Sequence, residues 1–320
     1  MRNSKTTIFR ICLSLCLLIA GFRFVDAQDP EPVKTAPDSR SRLAMSKELR
    51  ALMSLAPMPE SPMPVTFRGT ADNVITDPTG SLCTFFDKIA EMDRPVRIVH
   101  IGDSHIRGHV LPYVMRLSLE EDFGSEAVED IPVSYRSSGL ATETGEPGIV
   151  YHIIGVNGAT CGTFATPERI KEIAGLSPDL VIVSFGTNEA HGRNYSSDEH
   201  RASLDHILTA IKAECPETAF LLTTPPGAYI RGGKQGRTVN PRTPKVVETE
   251  LDYAEQGGLA VWNLYEIAGG KESACANWTR GGYFQKDKIH FTHEGYRVQG
   301  MLLHEAFIKA YNGYVAAGLE

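Results

Sequence analysis

The chain has 320 residues, 42% of them hydrophobic and 22% charged, with a formal net charge of -7. That balance belongs to an ordinary globular protein and leaves room for one large α/β domain or two small ones. An acidic chain without a long Lys or Arg run after its first residues lacks the basic face that neutralises phosphates, so nucleic acid is not an expected partner.

The chain opens with Arg2 and Lys5, then the apolar stretch Ile11 to Ala20, then small residues at Val25-Asp26-Ala27. This order predicts an export leader over residues 1–27, cleaved after Ala27, and places the mature chain outside the cell or in the periplasm and envelope. The apolar stretch falls short of the ~20 residues a membrane span needs, so no stable span is expected in the mature chain; a retained anchor is the alternative. Residues 28–79 form a Pro-rich lead-in with one helix-like patch, Leu43 to Met53, read as wrapping the domain or tethering it.

From residue 80 the pattern changes. Leu82 to Met92 has helical spacing, and five short apolar runs follow as strand candidates: Val96 to Ile101, Ile149 to Ile154, Leu180 to Phe185, Ala219 to Thr223 and Leu259 to Leu264. Helical patterns intervene, notably Ser203 to Glu214, and Glu294 to Tyr311 closes the series. Buried-type strands alternating with helices predict a parallel sheet covered on both faces, where function gathers at the carboxyl ends of the strands.

Of four polar clusters, three stand just after a strand candidate and the fourth precedes the last helix. Gly102-Asp103-Ser104-His105 follows the first strand; a serine there can be a nucleophile if a base takes its proton, or a helix cap. Gly155-Val156-Asn157-Gly158 follows the second strand and is either an ordinary turn or a place where backbone N–H groups approach an oxyanion. Gly186-Thr187-Asn188-Glu189 follows the third, with Asn188 as an amide donor or a cap. Asp287-Lys288-Ile289-His290 precedes the last helix, and a carboxylate three residues before a histidine can fix its tautomer. His293 has no carboxylate at that spacing.

Taken together, from Arg97 to Tyr311, these blocks resemble the SGNH (GDSL-like) hydrolase superfamily. The resemblance implies a flavodoxin-like, three-layer α/β/α sandwich with a five-stranded parallel sheet over residues 80–320, acting without metal or organic cofactor. It implies Ser104 as nucleophile, His290 as base and Asp287 as its orienting partner. The oxyanion hole falls to Ser104, Gly158 and Asn188, with Gly158 assigned over Gly155, and Asp103, His105 and Glu189 become supporting residues. His105 stands where leucine is usual, a form that resembles bacterial envelope and polysaccharide acetylesterases. The expected partner is therefore an acylated carbohydrate or other ester. A lipase, lysophospholipase or thioesterase is the first alternative, and a non-catalytic carbohydrate-binding or scaffolding protein the second. Oligomeric state is left open.

The remaining features have plainer readings. Cys12 and Cys16 leave with the leader; Cys83, Cys161, Cys215 and Cys275 remain as buried thiols or disulfides, and no C-x-x-C pair marks a zinc or redox motif. His100, His105 and His109 mix strand, turn and helix spacing, which suits packing rather than a metal. Arg107 and His191 are solvated or touch substrate. Trp262 is a core residue, while Trp278 and Tyr283 offer a sugar platform or more core. Glu120 to Gly148 is expected as an extra lobe near the site mouth, and Gly232 to Gly236 as a mobile loop beside it.

Overall fold

A computed structural model describes residues 55–129, 139–232 and 236–318. The expected leader and the patch Leu43 to Met53 lie outside the described residues. In chain order the elements are β1 (Ile75–Thr76), α1 (Cys83–Glu91), β2 (Pro95–Gly102), α2 (Ser104–Arg107), α3 (Val110–Phe123), β3 (Gly148–Gly155), α4 (Cys161–Phe164) and α5 (Pro167–Gly175). Then come β4 (Leu180–Ser184), α6 (Thr187–His191), α7 (Ser197–Glu214), β5 (Ala219–Thr223), β6 (Tyr229–Arg231) and β7 (Arg237–Val239). The series closes with α8 (Thr243–Gly257), β8 (Ala260–Trp262), α9 (Leu264–Ile267), α10 (Gly270–Arg280) and α11 (His293–Ala317).

The strands expected from their apolar runs form one sheet, in the order β3-β2-β4-β5-β8, all parallel. Their side chains alternate between two cores. Leu180 and Ile182 face the layer of α1, α3 and α11, whereas Val181 and Val183 face Ile170, Ile173, Leu204 and Ile207 of α5 and α7. A strand buried on both faces gains nothing from polar alternation, hence the unbroken apolar runs. The sheet has one strand more than expected: Ile75–Thr76, from the lead-in, pairs antiparallel with β8. A two-residue strand beside Asp77-Pro78 leaves no periodic signal to read.

Residues 55–79 otherwise lie on this domain. Phe67 packs edge-on to Trp278, Arg68 and Asn277 exchange hydrogen bonds, and the buried Asn73 accepts from Trp262 Nε1 at 3.0 Å. Trp262 is core, as its strand position implied. The described part of the expected lobe covers the β3 edge, where Gly139 O accepts from Ile153 N at 3.0 Å and Glu143 pairs with Arg97 at 2.7 Å. An exposed strand edge invites pairing with other chains, and this segment blunts it. Residues 130–138 and 233–235 lie outside the described residues; β6 and β7 form the hairpin flanking the latter. Among the described residues Cys83, Cys161, Cys215 and Cys275 are free thiols, Cys161 and Cys275 buried. Among the described residues no helix is long and apolar enough to cross a membrane.

One polar chain crosses the apolar sheet. Tyr151 Oη, His100, Ser184 Oγ and Thr223 Oγ1 are linked through contacts of 2.8, 2.7 and 2.7 Å across β3, β2, β4 and β5. Burial pushes His100 down to about 3, so the ring is neutral, one nitrogen donating and the other accepting. Both ring nitrogens are engaged by hydroxyls, which gives His100 a packing role.

Candidate active site

From β2 the chain crosses to the outer strand β3 and returns to β4 on the other side of β2. The loops after β2 and β4 therefore diverge and leave a crevice at the carboxyl edge. Ser104 stands there. Gly102 ends β2 so tightly that a Cβ would lie 2.5 Å from Ser184 O and 2.4 Å from Ile106 Cγ1. Asp103 then caps α2, its Oδ1 accepting from His105 N at 2.8 Å, and Ser104 becomes the first helical residue. His105 N, Ile106 N and Arg107 N bond Asp103, whereas Ser104 N, the first N–H of the turn, has no intrahelical acceptor and can meet incoming negative charge.

His290 arrives from the opposite rim on a hairpin closed by the Phe284–Phe291 bridge and by Gln285 N donating to His290 O at 2.8 Å. Lys288, at φ +57°, turns the chain so that Asp287 folds back over it. Asp287 Oδ1 accepts from the N–H groups of Ile289 and His290 at 2.9 and 3.0 Å, and its Oδ2 lies 2.6 Å from His290 Nδ1. Nε2 of the same ring lies 2.9 Å from Ser104 Oγ. With Nδ1–H donated to the carboxylate, Nε2 is left to accept the serine proton. Partial burial works against the Asp287 charge, but His290 and the two backbone N–H groups outweigh it and hold the carboxyl below its usual range.

The third side of the site comes from the loops after β3 and β4. Gly155 and Gly158 divide their roles cleanly. A Cβ on Gly155 would lie 2.2 Å from Arg107 N, so this glycine lets α2 close onto β3. Gly158, at φ +75°, faces open space on the wall beside Ser104. Asn188 directs Nδ2 to Ala159 O at 2.9 Å and Asp103 Oδ2 at 3.1 Å. Glu189 holds the same turns from behind, its Oε1 accepting from Cys161 N at 2.7 Å and Oε2 from Gly186 N at 2.9 Å. Burial pushes Asp103 up to about 8, the His105 N–H working against this and the Glu189 charge adding to it.

Ser104, Asn157, Gly158, Asn188, His191 and His290 line one cleft of about 780 Å³. His293 lines it as well, with no contact to Asp287 to match that of His290. His191 is held by Thr187 O at 2.7 Å, whereas Arg107 turns toward His109 and is absent from the cleft wall. His105 is buried beneath His290, ring centres 5.6 Å apart, with Nδ1 at 2.9 Å from Tyr296 Oη. Burial, reinforced by the neighbouring His290, lowers it to about 3 and keeps it neutral.

One alternative closes and one expectation changes. Trp278 is fully buried, donates Nε1 to Pro226 O at 3.0 Å and packs edge-on with Phe291, so it supports the hairpin and offers no sugar platform. Tyr283 packs against Trp278 in the same cluster. The extra lobe belongs to the β3 edge, and none of its described residues lines the cleft. Sequence reasoning also passed over Gln285, Val110 and Ile289 on the wall; Gln285 and Val110 stand in no motif, and Ile289 lies inside the Asp287 block, where only the folded hairpin brings it to the cleft.

An α/β/α sandwich with a Ser-His-Asp line at the switch point of its parallel sheet defines a hydrolase of the SGNH kind. The family model of the GDSL-like Lipase/Acylhydrolase family matches residues 101–298, more than half of the chain, and the chain belongs to that family. It is accordingly a carboxylic ester hydrolase. No curated protein matches it. Among solved structures, a peptidoglycan O-acetylesterase shares the fold at 18% identity and a TM-score of 0.63, covering 75% of this chain and 99% of its own. A GDSL-like lipase from Bacteroides thetaiotaomicron aligns at 20% identity and TM-score 0.45, over 71% of this chain and 99% of its own. The acetyl xylan esterase AlAXEase aligns at 13% and 0.46, over 65% and 98%.

Proposed function

We propose that the chain is an exported serine esterase that removes short acyl groups, O-acetyl above all, from carbohydrate or peptidoglycan. The observation that carries the chemistry is the unbroken line Asp287 Oδ2, His290 Nδ1, His290 Nε2, Ser104 Oγ, with contacts of 2.6 and 2.9 Å. His290 takes the Ser104 proton as Oγ attacks the acyl carbonyl, and returns it to the leaving sugar oxygen. Water, deprotonated by the same nitrogen, then releases the acid from the acyl-enzyme. Ser104 N, Gly158 N and Asn188 Nδ2 face the developing oxyanion. For Asn188 that means sharing a hydrogen now directed at Asp103 or Ala159, which draws the three loops toward the reacting centre.

The substrate reading rests on the cleft. Asn157, Asn188, His191, Gln285 and His293 bring hydrogen-bonding groups to its wall, which suit a sugar, beside the apolar Val110, Ile289 and Phe291. The peptidoglycan O-acetylesterase of the same fold names one ester to offer it. The leader-like first residues support export.

Acetate release from O-acetylated peptidoglycan and from acetylated xylan, comparing wild type with Ser104→Ala, tests the reading. Release by the wild type alone supports it and chooses the polymer. Silence on both, with turnover of long-chain p-nitrophenyl esters, moves the enzyme to the lipid side; silence on every ester favours a binding protein.

A further inference from the structure

Behind the Asn188 turn lies a polar cluster that ester hydrolysis does not use. Cys161 begins α4, Glu189 lies in α6, His200 in α7 and Glu250 in α8, so four separate helices bring their side chains to one point. All four residues are buried. His200 Nε2 is 3.6 Å from Cys161 Sγ, 3.9 Å from Glu189 Oε1 and 3.7 Å from Glu250 Oε1. Glu250 Oε2 has no hydrogen-bond partner. Two carboxyls and a thiol thus face one imidazole, more acid groups than that ring can neutralise, and burying them without a cation is costly.

The spacings are those of a metal site drawn slightly open. Tetrahedral zinc, with bonds of about 2.3 Å to sulfur and about 2.0 Å to nitrogen and oxygen, puts S and N about 3.5 Å apart and N and O about 3.3 Å apart. Cys161 Sγ, His200 Nε2 and a Glu189 oxygen lie within 4.8 Å of one another, with Glu250 outside that trio beside His200, and side-chain shifts on the order of 1 Å bring the four to these spacings. His200 Nδ1 meets Tyr195 Oη at 3.0 Å, the outer contact that orients a ligating imidazole. A cavity of about 290 Å³, lined by Cys161, Glu189, Tyr195 and His200, gives a path in, and Asn188 borders both this cavity and the catalytic cleft.

We propose that Cys161 Sγ, His200 Nε2, Glu189 Oε1 and a Glu250 carboxylate oxygen bind one zinc ion. Thiolate and imidazole select zinc over magnesium or calcium, and four protein ligands make the site structural. Because Glu189 also holds Gly186 N and Cys161 N, the ion braces the turn that carries Asn188. Binding requires the Cys161 thiol, which burial first and then the Glu189 and Glu250 charges hold protonated, to release its proton.

The test uses the full chain without an affinity tag, stripped with a chelator and titrated separately with zinc chloride and cobalt chloride. One zinc is expected per chain after gel filtration, with a rise in Tm. Cobalt should give tetrahedral visible bands and a thiolate charge-transfer band. Cys161→Ser should remove the charge-transfer band, and His200→Gln should weaken zinc binding at least about tenfold, as should Tyr195→Phe by the outer-contact effect. Ser104→Ala should bind like wild type. A wild-type chain that retains no zinc and shows no Tm rise overturns the proposal without any variant having to fold. So does a folded Cys161→Ser chain that keeps the charge-transfer band, which would place the metal on another cysteine.

Discussion

Asn188 Nδ2 donates to Asp103 Oδ2 at 3.1 Å, joining the loop after β4 to the cap of the helix that begins with Ser104. The same nitrogen donates to Ala159 O, so one amide gathers the turns after β2, β3 and β4 around the reacting centre. Ser104 and the proposed oxyanion donors are thereby tied into one hydrogen-bond network instead of being held on independent loops.

Asn188→Ala should reveal both roles. Losing one oxyanion donor lowers kcat by about 10²–10³, and leaving Asp103 Oδ2 without its partner costs about 1–3 kcal/mol. Steady-state kinetics beside a melting curve separates the two. A fall in Tm with unchanged kcat would make Asn188 a fastener only.

Asp287→Asn should keep the hairpin, since an amide oxygen still accepts from Ile289 N and His290 N, but it loses the charge that fixes the His290 tautomer. A fall in kcat of about 10⁴ with KM little changed is expected. A loss below tenfold would show that another carboxylate orients the ring.

The two glycines of the β3 loop should respond differently. Gly155→Ala drives a methyl into the Arg107 backbone and should cost about 3 kcal/mol, since backbone cannot step aside as a side chain can. Gly158→Ala meets no atom, only the strain of φ +75°, about 1–2 kcal/mol. Melting temperatures rank the pair, and the opposite order would reverse the assignment.

Asp179 supplies the pH dependence of stability. Burial works against its charge, but Arg94, Arg97 N and Lys88 outweigh that and hold its carboxyl below the usual range. A carboxylate whose folded pKa is depressed stabilises fully above its unfolded value of about 3.9, and that stability is lost as pH falls through the folded value. Asp179→Asn should be less stable than wild type by about 2 kcal/mol at pH 7, the gap closing below about pH 4. Denaturant melts at both pH values measure it; a gap that widens in acid contradicts the sign.

Much of this was legible in the chain itself. The five parallel strands announce themselves because strands buried on both faces need apolar runs, and Ser104, Asn188, Asp287 and His290 stand in short local blocks beside them. What periodicity could not show was contact across the chain. The antiparallel strand at Ile75–Thr76 is two residues long, and Trp278 reads equally as platform or core until Phe67 and Phe291 close over it. Cys161, Glu189, His200 and Glu250 span 90 positions without a common spacing, so their meeting is a product of helix packing alone.

The central claim is that Ser104 is the residue acylated during turnover. Intact-mass and peptide mapping after treatment with a fluorophosphonate tests it most directly. One adduct per chain is expected, on Ser104, formed as activity disappears and far more slowly in His290→Ala. Inactivation with the adduct on another residue, or full turnover by a chain that Ser104→Ala leaves active, would contradict it.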